Sequence, residues 1–103
     1  MRSLLHPTRE DFSLPNILYA LGDPARLRLV AQLAGVNEAI SCGELSVVKE
    51  VPKSTGSHHF KVLREAGLIR MVPQGRRVLV SLRREDLEAR FPGLLDTILR
   101  TYG

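Results

Sequence analysis

One cysteine stands in the 103 residues, so no disulfide can form within the chain. A single thiol suits a reducing compartment. No apolar run approaches the ~18–20 residues needed to span a bilayer. Pro7 interrupts the N-terminal stretch before a signal-like apolar segment develops. The expectation is a soluble, cytoplasmic protein. No glycine-rich loop could cradle a phosphate: Gly35, Gly67 and Gly75 each fit a helix end or a turn. Ser57 and His58 are sequence neighbours, which does not make a nucleophile and its base. Glu85, Asp86 and Glu88 open a helical segment, where acidic groups suit the positive end of the dipole better than they suit paired catalysis. These absences point away from an enzyme and from a cofactor.

What is present is positive charge, unevenly spread. The net charge is +4 and the isoelectric point about 9.8. Between Lys49 and Arg84 there are nine Lys/Arg and two Glu, a net of +7, and the rest of the chain nets −3. Such clustering favours phosphate contact over an evenly solvated surface.

The length fits one domain with one core. Residues 1–12 form a polar tail, expected to fray, and 13–103 a single domain. Ser13 with Leu14-Pro15 opens a first helix, and Asp23-Pro24 opens a second that runs to about Ala34. Val36 to Ile40 is a connection with room for one strand-like pairing. Ser41-Cys42-Gly43-Glu44 has the form of a capping box for a short third helix ending near Lys49. Val51-Pro52 is a turn, and a fourth helix covers about 53–66. Leu68–Val72 and Arg77–Leu82 make a hairpin around Pro73-Gln74-Gly75-Arg76. Arg84 to Phe91 reads helical, and beyond Pro92 an apolar stripe continues to Tyr102.

The fourth helix is the most informative stretch. Phe60, Leu63 and Ala66 mark a buried stripe, while Ser54, Ser57, His58, Lys61 and Glu65 recur at three to four on another face. A row of short hydrogen-bonding side chains with a cation is suited to the edges of DNA bases. A short helix, a tight turn, a polar-faced helix and a hairpin together predict a mainly α, winged helix-turn-helix fold.

The residues resemble the ArsR/SmtB-type family of bacterial winged-helix repressors. The resemblance rests on Ala20-Leu21-Gly22-Asp23-Pro24-Ala25-Arg26-Leu27-Arg28, on Ser54 to Ile69, and on Gln74-Gly75-Arg76-Arg77-Val78, and it spans roughly residues 14 to 83. It implies a homodimer that binds a double-stranded DNA operator and leaves it when an inducer arrives. Ser54, Thr55, Ser57 and His58 would then meet the major groove, with Lys53 and Lys61 on phosphates or bases and Arg76 and Arg77 on the wing. The terminal helices would form the dimer interface through Leu14, Ile17, Leu18, Leu94, Leu95, Ile98, Leu99 and Tyr102. Two leucine-rich terminal helices are also more apolar surface than one small domain covers.

Many relatives of that type hold metals or arsenic through cysteine pairs at the third helix, or through Asp/His/Glu sets on the last. Here Cys42 has no second thiol and falls one place off the usual ligand position, and the last helix carries Glu85, Asp86, Glu88 and Asp96 without histidine. A soft-metal site needs three or four thiolate or imidazole ligands. The expectation is no metal and no inducer identifiable from ligand residues. Cys42 is read first as a first-turn packing residue and second as a redox sensor. His58 is expected to face DNA, His59 to pack, and His6 to be disordered. The competing readings are a winged-helix module for protein partners, which the net +7 segment disfavours, and a metal-responsive repressor.

Overall fold

Short polar residues start the helical half of the chain. In the computed structural model, which describes residues 4–102, Ser13 Oγ accepts the Asn16 amide and α1 runs Leu14–Leu21. Asp23 accepts the amides of Ala25 at 2.8 Å and Arg26 at 3.3 Å, and α2 runs Pro24–Ala34. Burial alone would raise the Asp23 carboxyl; the Arg26 and Ala25 amides, with the Arg26 charge, hold it below its ordinary value. In both helices a proline occupies the first turn, where a missing N–H leaves nothing unpaired.

The expected pairing after α2 is present: β1 (Ile40–Ser41) sets Ile40 opposite Val80 and Ser41 opposite Leu79. The expected capping box is present at Ser41 and Glu44, but it does not open the third helix. Glu44 accepts the Ser41 amide at 3.3 Å, but what it closes is one 3-10 turn, Cys42–Glu44. Leu45, fully buried with an extended backbone, separates that turn from α3 (Ser46–Glu50). Burying Leu45 required a change of direction that the cap signal did not contain. After Val51-Pro52, α4 runs Lys53–Ala66.

Gly67 ends α4 at φ +96. The Leu68 amide reaches the Leu63 carbonyl at 3.0 Å and the Gly67 amide reaches that of Arg64 at 3.1 Å, the Schellman pattern. The chain then forms β2 (Ile69–Gln74) and β3 (Arg77–Leu82), and the antiparallel sheet has the order β1-β3-β2. The hairpin loop is tighter than expected. Pro73 pairs with Val78 and Gln74 with Arg77, so only Gly75 and Arg76 turn. Gly75 has φ +62 and Arg76 does not share the positive sign, the pattern of a two-residue II′ turn. Two helices complete the chain, α5 (Arg84–Arg90) and α6 (Leu94–Tyr102). The core draws Ile17 from α1, Leu29 and Leu33 from α2, Leu63 from α4, Ile69 and Val80 from the sheet and Leu87 from α5.

Residues 5–12 are fastened to the body, where a tail of residues 1–12 was expected to fray or pack loosely; residues 1–3 of that tail lie outside the described residues. Arg64 donates to the Leu5 carbonyl at 2.6 Å, Arg83 to that of Pro7 at 2.8 Å, and Arg90 to that of Arg9 at 2.6 Å. The Met71 amide donates to His6 Nε2 at 2.9 Å. Phe12 is 5% exposed and belongs to the core. The segment's carbonyls are thus satisfied by arginines far away in sequence, which local composition cannot register. β2 is one of the two outer strands, and its edge is blunted: Pro73 has no amide, and the Met71 amide two residues earlier is taken by His6.

A Cβ on Gly67 would lie 2.3 Å from the Phe12 ring, besides requiring a positive φ. Gly67→Ala should therefore destabilise the fold by ~2–5 kcal/mol in chemical denaturation; an unchanged midpoint contradicts the packing of Phe12 on this turn. The His6 bond requires a neutral Nε2. Burial lowers the His6 pKa below 6.5, the Leu4 backbone bond opposes this, and the charges of Arg70, Arg64 and Arg83 add to the lowering. The unfolded chain therefore takes up the proton first as pH falls, and the contact is fully present above pH 6.5 and weakens below it. Hydrogen exchange at the Met71 amide, corrected for intrinsic rate, should lose protection over that range. His6→Ala should lose it at neutral pH as well.

Candidate nucleic-acid interface

The two-residue turn Val51-Pro52 fixes where α4 starts, and the Gly56 amide bonds the Pro52 carbonyl at 3.0 Å in its first turn. From there the helix divides into faces. His59, Phe60, Leu63 and Ala66 turn inward. Lys53, Ser54, Ser57, His58 and Lys61 are exposed and Thr55 is half-buried. The exposed residues follow one another at three and four along the helix, so the polar row is continuous. The adjacent histidines part: His58 lies open, and His59, only 7% exposed, faces Arg26. At the hairpin tip Arg76 is a central turn residue and Arg77 the first of β3; both are exposed, with Arg77 Nη2 3.4 Å from Gln74 Oε1.

Several arginines of the basic segment are engaged by the protein's own groups. Arg64 is turned back to the Leu5 carbonyl, and Arg84 donates to the Ala34 carbonyl. Arg83, Arg70 and Arg9 converge on one carboxylate, Asp86, at 2.9, 3.8 and 2.8 Å. Burial would raise the Asp86 carboxyl, but the hydrogen bonds and charges of Arg83 and Arg9 hold it below its ordinary value. Arg83 also lies over the Phe12 ring, 4.9 Å from its centroid. These arginines are structural. Lys53, Lys61, Arg76 and Arg77 are the ones left facing solvent on α4 and the hairpin tip. A count of charges along the sequence had treated all of them alike.

The residues expected at a dimer interface also divide. Leu14 and Leu18 on α1 are 41% and 48% exposed, and Tyr102 on α6 is 45% exposed. Leu94, Leu95, Ile98 and Leu99 are half-buried. Ile17 is 1% exposed and lies in the core, so it supports α1 from beneath and is not available to a partner. Ile17 and Leu21 of α1 and Leu94 and Leu95 of α6 line a small void shared with Leu68 and Leu87, so side chains of the two terminal helices meet at one point. Sequence reasoning missed Tyr19, 66% exposed on α1 with its ring next to Arg26. It missed Arg26 too, whose signal was a charged residue at a position of the apolar stripe Leu29-Val30-Leu33.

Cys42 is half-buried. Among the described residues no group of three or more His, Cys, Asp or Glu side chains is close enough to hold a metal ion. Among the described residues no helix is long and apolar enough to cross a membrane.

A helix-turn-helix domain family matches residues 21–72. The uncharacterized HTH-type transcriptional regulator YceK of Bacillus subtilis (strain 168) is 39% identical over 89 residues, 86% of this chain and 89% of its own. Among solved structures, the transcriptional repressor BigR from Xylella fastidiosa has a TM-score of 0.66 at 27% identity, covering 87% of this chain and 86% of its own. The homodimeric winged helix-turn-helix DNA-binding domain of Mb0332 from Mycobacterium bovis, a possible ArsR-family regulator, shares the fold with a TM-score of 0.65 at 20% identity, over 86% of this chain and 80% of its own.

Proposed function

The chain belongs to the ArsR-type family of winged helix-turn-helix, DNA-binding transcriptional regulators, and on that premise we propose that it acts as a homodimeric repressor on an inverted-repeat operator. The observation that carries the reading is the continuous exposed row Lys53, Ser54, Ser57, His58 and Lys61 on α4. Ser54, Thr55, Ser57 and His58 read base edges in the major groove, where short donors and acceptors discriminate. Lys53, Lys61, Arg76 and Arg77 meet phosphates and supply most of the affinity. None of these residues acts as a catalyst. Metal is not the signal that releases the operator in this reading, because Cys42 has no second thiol in the chain.

The dimer forms through α1 and α6. Leu14, Leu18 and Tyr102 leave apolar surface open on two helices whose side chains share one small void. BigR is a repressor and the Mb0332 domain is homodimeric, which supports a repressor and a homodimer here; the choice of α1 and α6 rests on their exposed apolar residues. Twofold symmetry would set the two α4 helices about 34–36 Å apart, one turn of DNA, and so requires an inverted repeat.

Arg76→Ala and Arg77→Ala should each weaken binding to all sequences and reduce the slope of log affinity against log salt by about one. Ser57→Ala and His58→Ala should instead alter which operator is preferred, by ~1–3 kcal/mol at the affected base pair. Wing variants that bind with wild-type strength across a salt titration would sink the wing assignment. Failure of the wild-type protein to retain any genomic fragment at physiological salt would favour a protein-interaction module. Leu18→Asp should convert the dimer to a folded monomer in sedimentation, and a dimer that survives it excludes α1 from the interface.

A further inference from the structure

We propose that Arg26 is a positioning residue for operator recognition, acting through His59 to set how α4 presents Ser57 and His58. This rests on the reading of α4 as the helix that meets DNA bases. Arg26 and His59 are the buried polar residues on the facing sides of α2 and α4, 6% and 7% exposed. Arg26 Nε donates to the Ala20 carbonyl at 2.8 Å, and Arg26 Nη1 lies 3.3 Å from His59 Nδ1. A guanidinium has donors only and does not give up its proton. Nη1 therefore donates, Nδ1 accepts, and the imidazole is the neutral tautomer with its proton on Nε2. The same guanidinium lies 5.4 Å from the centroid of the Tyr19 ring, and the Arg26 amide is capped by Asp23. One side chain thus ties the end of α1, the start of α2 and the middle of α4.

The position is not one that stability alone would fill with arginine. Leu29, Val30 and Leu33 share its face of α2 and are buried, so an apolar residue would continue the stripe without the cost of desolvating a charge. What the arginine adds is direction. Apolar contacts let a helix slide or rotate with little penalty, whereas a buried donor must meet its acceptor within a few tenths of an ångström. His59 directly follows Ser57-His58 on α4. The depth and angle at which His59 is held therefore fix the angle at which its two predecessors face outward. Lysine cannot replace the arginine, since one ammonium group cannot lie along both the Ala20 and the His59 directions as the fork of Nε and Nη1 does.

The test separates positioning from simple stability by measuring two affinities. The wild-type protein selects its operator from random-sequence DNA, and each variant is then measured on that operator and on a scrambled duplex, with circular dichroism and thermal melting to register folding. His59→Phe keeps a ring but removes the acceptor. Its preference for the operator over the scrambled duplex should fall about tenfold, as coupled buried partners do when separated. Its affinity for the scrambled duplex and its salt slope, both set by phosphate contacts, should not change. His59→Gln offers a carbonyl oxygen near the Nδ1 position and should restore the preference to within about threefold of wild type. Should His59→Phe fail to fold, Arg26→Lys reports the same loss of preference.

A folded His59→Phe or Arg26→Lys that keeps the wild-type preference overturns the proposal. So does a His59→Gln that loses as much preference as His59→Phe. A wild-type protein that selects no sequence at all overturns the reading of α4, and the positioning role falls with it.

Discussion

The left-handed turn at Gly67 is the constraint on which the rest of this structure depends. It lies where the helical half gives way to the sheet, and its φ of +96 sends the chain from α4 directly into β2. Two hydrogen bonds, from Leu68 to Leu63 and from Gly67 to Arg64, stop the helix at that residue. The missing side chain then does a second thing. It leaves the space that the Phe12 ring occupies, and so anchors the N-terminal segment. The direction of the hairpin, the seat of Phe12 and the end of α4 all follow from one residue without a Cβ.

Charge organises the other side of the molecule. Asp86 gathers Arg9, Arg83 and Arg70, and Arg83 in turn holds the Pro7 carbonyl and covers the Phe12 ring. Among the described residues no buried side-chain nitrogen or oxygen lacks a partner, so the buried Arg83 is fully used, while Arg9 and Arg70 reach Asp86 from the surface. Arginine suits the task because its planar fork can bind a carboxylate and a carbonyl at once. The basic surface is then what remains after this internal demand is met. That remainder includes Lys53, Lys61, Arg76 and Arg77 on α4 and the hairpin tip, the two elements a winged helix turns toward DNA.

Much of the fold was legible because its signals are local. Ser13, Asp23 and Gly67 each mark a helix boundary through a backbone bond made within five residues. The inward stripe of α4 repeats at helical spacing, and His59 was correctly set apart from His58 by the angle between neighbouring residues. The errors share a different origin. Residues 5–12 were expected to fray because their partners are Arg64, Met71, Arg83 and Arg90, at least 59 positions away. Ile17 was grouped with Leu14 and Leu18 because a leucine-rich helix does not say which of its apolar residues the chain's own core will claim. Arg26 passed without remark because a charge in an apolar stripe gains meaning only when its acceptor is known.

The sequence by itself determined the winged helix-turn-helix order, the polar row on α4 and the absence of a second thiol. Each of these depends on residue type and short-range spacing, which the chain carries wherever it is placed. Tertiary structure decided which arginines are spent on Asp86 and backbone carbonyls and which stay free. It decided that Ile17 packs inside while Leu18 faces out, and that Arg26 finds Ala20 and His59. Those outcomes depend on contacts between segments distant along the chain. A side chain's exposure and partners are properties of the packed molecule, and no local pattern encodes them.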